Sequence, residues 1–194
     1  MTKVFIVGGG GKVSRRLIRK LAARGHQILA LHRKPEDSKE LSELGAVAVT
    51  GNLLELDATQ LADLMGESDV VVFSAGAGGK GGPEMTNAID GAGLELSVAA
   101  ARSAGIERFL LVSAFPESFR GKQMPASFEN YMSVKKNADV HLAESELDWV
   151  ILRPGTLLDD AGQGLVRAGV AIPYGDVSRD DVAETLSEII DNPR

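Results

Sequence analysis

Val4-Phe5-Ile6-Val7 runs directly into Gly8-Gly9-Gly10-Gly11, and a helical pattern begins at once behind it. Val13, Leu17 and Leu21 recur at helical spacing, with Arg and Lys on the opposite side. An apolar strand, a glycine turn and an amphipathic helix in that order leave few solutions. Glycine lets the backbone turn tightly and come close to a ligand, and the helix N-terminus then offers unpaired N–H groups to an anion. The spacing is Gly8-x-x-Gly11-x-x-Ser14. Ser14 stands where a third glycine would allow the closest helix–strand packing. Serine is small, so the expectation is a slight adjustment with phosphate binding kept. Gly8, Gly10, Gly11, Lys12 and Val13 are therefore candidate dinucleotide ligands. The competing reading is a plain strand-to-helix turn with no ligand.

The same rhythm continues along the chain. Strands are expected at 27–31, 46–50, 69–73, 108–113 and 149–152, and helices around Leu41–Leu44, Leu56–Leu64, 86–104, 128–146 and 180–190. Val70-Val71-Val72-Phe73 is apolar throughout, as in a strand covered on both faces. Strands alternating with helices predict a parallel, doubly wound sheet of six or so strands, a three-layer α/β Rossmann fold in one domain over residues 1–194. Two irregular stretches, 75–84 and 115–128, follow strand C-terminal ends, where open α/β sheets bind ligands. Together with residues 155–178 they are expected to form a small substrate cleft. Residues 75–82 hold five glycines and read as a lid or as disordered chain.

Composition narrows the function. The net charge is −6 over 194 residues, which disfavours nucleic acid and anionic membrane as partners. No apolar run approaches the roughly 20 residues of a membrane span. Met1-Thr2-Lys3 leads straight into a strand rather than a secretory signal. Cysteine is absent, which removes disulfides, zinc–thiolate sites and a Cys nucleophile and accords with a cytoplasmic location. His26, His32 and His141 show no ligand spacing, so no metal is expected. A monomer or homodimer is expected, and Trp149 is assigned to the core.

The second strand ends in Leu31-His32-Arg33-Lys34, with no acid before Glu36. An NAD site places Asp or Glu about 20 residues after the glycines to hold the ribose 2′-hydroxyl. Arg33 offers a planar fork for a phosphate, Lys34 adds charge, and Lys12 lies in the loop expected to face the same ribose. This combination points to NADP, with NAD possible. The alternative is a solvated strand end.

Tyr131-x-x-x-Lys135 opens a helix about 18 residues after Ser113. Positions i and i+4 share a helix face. An ammonium beside a phenol lowers its pKa from about 10 toward neutrality, which suits general acid/base work at a carbonyl or hydroxyl carbon. Ser113, Tyr131 and Lys135 are the candidate catalytic set, with Ser113 on the substrate oxygen and Lys135 also on the nicotinamide ribose. The alternative has Tyr131 packing on the sheet and Lys135 in solvent.

With these motifs in place the chain resembles the atypical short-chain dehydrogenases/reductases, in particular small bacterial NAD(P)H-binding proteins of the sugar-epimerase-like group. The resemblance spans nearly the whole chain. It rests on Val7–Gly11, Ala23-Arg24-Gly25-His26, Leu31-His32-Arg33, Gly51-Asn52-Leu53, Asp69–Gly76, Ala104–Phe109, Tyr131–Lys135 and Leu152-Arg153-Pro154-Gly155. It implies that Asn52 and Leu53 contact the adenine, although the group usually carries Asp at position 52. It implies that Ser74, Ala75 and Gly76 line the ribose and pyrophosphate, and that Pro154-Gly155-Thr156 lies near the nicotinamide. Relatives usually add a short strand beyond the segment matching Asp191-Asn192-Pro193; here the sequence stops at Arg194, through truncation or because that edge strand is dispensable. The expected function is an NADP-binding oxidoreductase or epimerase-like protein acting on an unidentified small molecule. The alternative is a non-catalytic NADPH sensor regulating a protein partner.

Overall fold

Alternate residues of each central strand point to opposite sides, and here both sides are apolar. Val4 and Ile6 of β1 (Lys3–Val7) join Val70 and Val72 of β4 (Val70–Phe73) and Leu110 of β5 (Arg108–Val112) in one core. Phe5, Val7, Val71, Phe73, Phe109 and Leu111 enter a second core on the other face. A strand buried on both faces needs helices on both, and the chain supplies them. Helices α1 (Lys12–Ala23), α2 (Asp37–Glu43) and α7 (Arg179–Asp191) bring Leu17, Leu21, Leu41, Leu186 and Ile190 to the first core. Helices α3 (Ala58–Met65), α5 (Gly93–Ser103) and α6 (Ala126–Ala143) bring Leu61, Leu94, Val98 and Leu142 to the second.

The structure, a computed structural model, describes residues 1–115, 119, 121–170 and 172–193. Residues 116–118 and 120 of the expected loop 115–128, residue 171 of the segment 155–178, and residue 194 lie outside the described residues.

With β2 (Gln27–His32), β3 (Val47–Thr50) and β6 (Asp148–Leu152), six parallel strands form one sheet in the order β3-β2-β1-β4-β5-β6. This is the Rossmann order, and it puts the crevice where the winding reverses, between the C-terminal ends of β1 and β4. Register is direct there: Val7 pairs with Phe73. The helix expected at 86–104 starts earlier, at α4 (Gly82–Thr86), and passes through a π-helical turn (Asn87–Ala92) before α5. Two three-residue strands, β7 (Thr156–Leu158) and β8 (Asp176–Ser178), pair in parallel as a separate small sheet that the apolar pattern did not signal. Trp149 is not a core residue: it lies on edge strand β6, which has a neighbour on one side only, and is 41 % exposed.

Ion pairs tie the two ends of the chain together. Lys20 and Arg24 of α1 meet Asp180, Glu184, Glu188 and Asp191 of α7, and His26 Nε2 lies 2.7 Å from Asp191. Among the described residues no helix is long and apolar enough to cross a membrane.

Candidate functional site

The turn from β1 into α1 has one conformational requirement that a side chain does not meet. Gly8 sits at φ +87°, and a Cβ there would come within 2.7 Å of the Ala75 backbone. The end of β4 thus presses on the glycine turn. Gly11 is different: its backbone is extended, and an added Cβ would stand 3.1 Å from the Gly8 carbonyl oxygen. Gly11 is the N-cap of α1, no side chain caps that helix, and its first turn holds no acid. The first N–H groups of α1 therefore lack partners within the helix and face the crevice, as an anion requires.

Two connected clefts share Gly11, Ser74, Ala75 and Gly76. The first, about 300 Å³, runs over the ends of β1, β2 and β3 and is lined by Gly8, Gly10, Arg33, Lys34, Asn52 and Leu53. The second, about 580 Å³, runs toward α6 and is lined by Lys12, Val13, Ser113, Tyr131 and Lys135. The sequence-predicted residues thus fall along one continuous groove, with two differences. Lys12 does not join Arg33: it lines the second cleft, where it pairs with Asp159. Pro154 lines neither; its carbonyl accepts the Phe115 N–H at 3.1 Å, and Gly155 abuts Gly175.

The first cleft also contains charges that sequence spacing missed. Arg15, one turn into α1, donates from Nε to the Gly10 carbonyl at 3.0 Å and from Nη2 to Asp37 at 2.7 Å, and also pairs with Glu40. Asp37 lines the cleft, although the strand end carries no acid before Glu36. Three cations, Arg15, Arg33 and Lys34, face this one lining acid. His32 is buried beneath, its ring bonded to the Lys34 carbonyl at 2.9 Å and the Ser38 hydroxyl at 3.0 Å. Asn52 turns its amide back on its own loop, donating to Glu55 at 2.8 Å and accepting from the Leu54 N–H at 3.2 Å.

In the second cleft Tyr131 and Lys135 share a face of α6 with Asp139, at spacings of four. Lys135 is 3 % exposed, so the solvated reading does not hold. Its Nζ donates to the Val112 carbonyl at 3.1 Å and lies 3.7 Å from Asp90 Oδ1. Asp90, at the centre of the π-helical turn, is 4 % exposed and accepts the Ala77 N–H at 2.9 Å. A Cβ on Gly76 would come within 3.0 Å of the same carboxylate. Asp90 therefore joins the glycine segment to Lys135. Burial pushes Lys135 down from the usual ammonium value while Asp90 and Asp139 pull it back. Burial also raises Asp90 above the carboxylate range, against the pull of Lys135.

This changes the chemistry expected of Tyr131. Its pKa is not lowered toward neutrality. Burial, then the negative charges of Asp90 and Asp139, push it up to about 12. The lysine's charge is offset by two carboxylates: Asp139, four residues on along α6, and Asp90, which only the fold brings near. Among the described residues the Ser113 hydroxyl is buried with no hydrogen-bond partner, as are those of Ser14 and Ser187. Asp139 holds Arg153 at 2.7 Å. Arg179 lines the same cleft and reaches Asp159 at 3.1 Å. Among the described residues no cluster of His, Cys, Asp or Glu is placed to hold a metal ion.

The glycine cradle, the uncapped helix start and the cations beyond it fit a dinucleotide laid across the crevice. Comparisons with known proteins agree with that fit. The chain is 35% identical over 190 residues to a Bacillus subtilis (strain 168) protein named uncharacterized sugar epimerase YhfK, covering 97% of this chain and 88% of that one. A solved Bacillus halodurans structure, classed by name with NAD-dependent epimerase/dehydratases, superposes with TM-score 0.88 at 33% identity, over 99% of this chain and 89% of that one. ChuY of Escherichia coli O157:H7, named an anaerobillin reductase, superposes with TM-score 0.83 at 27% identity, over 99% and 92%. The family match extends over residues 8–193, nearly the full sequence, and the chain belongs to the NAD(P)H-binding family of epimerase- and reductase-like Rossmann proteins.

Proposed function

We propose that the protein is an NADP(H)-dependent reductase of small carbonyl compounds. The observation that carries this reading is the convergence of Tyr131, Lys135 and the unpartnered Ser113 hydroxyl on one cleft that continues into the glycine cradle. Preference for NADP rests on Arg33 and Lys34, with Arg15 engaging Asp37.

Gly8, Gly10, Gly11 and Val13 would hold the pyrophosphate at the start of α1, Lys12 adding charge, and Ser74, Ala75 and Gly76 would line the riboses. When bound, the dinucleotide supplies a hydride. The protein's own part is to hold the carbonyl and provide the proton. Ser113 donates to the carbonyl oxygen and orients it. As the carbon gains hydride, the C=O π pair moves to oxygen, which takes the Tyr131 proton; solvent restores it. Held near pKa 12, the phenol is protonated at neutral pH, as a donor must be, although it is a weaker acid than an unperturbed tyrosine. The reverse reaction needs tyrosinate, which burial first and then Asp90 and Asp139 disfavour. Lys135, fixed by Val112 and Asp90, lies one turn behind the tyrosine and is suited to hold the nicotinamide ribose.

The test is NADPH oxidation with a panel of quinones, aldehydes and small ketones, followed by Tyr131→Phe. General acid catalysis is worth about a hundredfold to ten-thousandfold. Turnover should fall by that order while NADPH affinity holds. Full activity in Tyr131→Phe would remove the tyrosine from the reaction.

A further inference from the structure

The chain has one tryptophan, two tyrosines and six phenylalanines. Phe5, Phe73 and Phe109 are fully buried in the core, and Trp149 is on the edge strand. The other five form one row that reaches the second cleft through Phe128 and Tyr131. Their rings form a continuous series: Phe115 to Tyr174 at 5.4 Å, Tyr174 to Phe119 at 5.2 Å, Phe119 to Phe128 at 5.7 Å, and Phe128 to Tyr131 at 6.2 Å. Each of the five is half-buried. Phe128 and Tyr131, three residues apart on the first turns of α6, line the cleft itself.

A contiguous row of half-buried rings that includes the proton donor leaves apolar surface for a flat ligand to cover. Two of its rings are also anchored by polar groups. The Tyr174 hydroxyl bonds Thr156 Oγ1 at 2.7 Å, and Lys122 Nζ sits 5.5 Å from the centre of the Phe119 ring. Phe128, which lines the cleft beside Tyr131, is the ring presented to a ligand whose oxygen meets Tyr131. Ring faces are electron-rich and attract the electron-poor edges and planes of conjugated carbonyl compounds more than saturated skeletons.

We propose that this row is the substrate wall, and that the substrate is a flat conjugated carbonyl compound, a quinone or an aryl ketone, whose ring packs against Phe128 while its oxygen lies at the Tyr131 hydroxyl. The proposal rests on the reading of Tyr131 as proton donor, but it is tested by binding without chemistry. In the presence of oxidised NADP, 1-tetralone and 1-decalone are titrated by calorimetry. They share a carbon skeleton, and only the first has an aromatic ring. Tetralone should bind about tenfold more tightly. Phe128→Leu should bring it to the decalone value, and Phe128→Tyr, which keeps a ring, should retain the ratio. NADP affinity should be unchanged in both variants. Equal binding of the two ketones to the unmodified protein, binding of neither, or a ratio that survives Phe128→Leu would overturn the proposal. Selective tetralone binding without its reduction by NADPH would sink the proton-donor reading and leave the wall standing.

Discussion

Replacing Asp90 by Asn removes one charge and almost no volume, from a place where the charge has few substitutes. Asp90 and Lys135 are 4 % and 3 % exposed and 3.7 Å apart. The amide oxygen still accepts the Ala77 N–H. Lys135 keeps the Val112 carbonyl and, one turn on, Asp139, but loses its nearest acid. Breaking a buried pair by removing one partner costs about 3–5 kcal/mol. The low end, about 3 kcal/mol, is expected at pH 7, because Asp90 is itself held uncomfortably above the carboxylate range. The loss is bounded by the alternative of folding with Lys135 neutral. From the ordinary lysine value of 10.5, that costs about 1.4 kcal/mol for each pH unit below it. At pH 9.5 the penalty is therefore capped at about 1.4 kcal/mol. The direction follows from proton binding: with Lys135 lowered in the folded state, the unfolded chain binds the extra proton, so the variant gains stability as pH rises toward 10.5. Urea denaturation at pH 7 and pH 9.5 measures both values. A loss under about 1 kcal/mol at pH 7, or one that does not shrink at pH 9.5, would refute the role given to the pair.

Arg33→Ala should weaken NADPH by about tenfold to a hundredfold, a charge-assisted bond of about 1.5–3 kcal/mol, and leave NADH nearly untouched; equal losses in a fluorescence titration would remove Arg33 from the 2′-phosphate. Arg24→Ala severs contacts to Glu184 at 2.5 Å and Glu188 at 2.7 Å and to Asp191, and should cost about 1 kcal/mol because the pairs are partly exposed. Arg24 and Lys20 hold Asp191 and Glu184 below the usual carboxylate range, so their contribution is present above that range and lost as pH falls through it. Thermal melts at pH 7 and pH 3.5 should show a shallower acid dependence in Arg24→Ala.

The six strands were legible because a doubly wound sheet needs apolar residues on both strand faces, as in Val70-Val71-Val72-Phe73, and because glycine punctuates the turns. The glycine cradle was legible for the same reason: Gly8 follows a strand and precedes a helix. Charge placement was not. Asp37 and Arg15 meet across a gap of 22 residues, and nothing local signals that. Asp90 did leave a trace. It stands four and eight residues before the buried Leu94 and Val98, an acid on an apolar stripe, where a long helical pattern hides it. The shift of Tyr131 came out with the wrong sign chiefly because its burial is not legible in the i, i+4 spacing, and then because Asp90 went unseen. The β7–β8 pair was invisible because three-residue strands carry too little alternation to register. The aromatic row was hidden because its rings are distant in sequence, and only folding aligns residue 174 with residues 115–131.

The most direct measurement is the affinity of NADPH for the unmodified protein and for Gly11→Val. Gly11 has an extended backbone that accepts a side chain; its added Cβ is tight only against the Gly8 carbonyl, at 3.1 Å, with Ser14 Oγ at 3.5 Å and the Ser74 carbonyl at 3.7 Å in ordinary contact, so the variant should fold after a shift of a few tenths of an ångström. Its branched side chain would nevertheless stand at the junction of the two clefts, over the start of α1, where the pyrophosphate is placed. Calorimetric titration should show one site in the unmodified protein and no detectable binding of NADPH or NADH in Gly11→Val, with the circular dichroism of the two proteins alike. Unchanged affinity in the folded variant would put the dinucleotide somewhere other than this crevice.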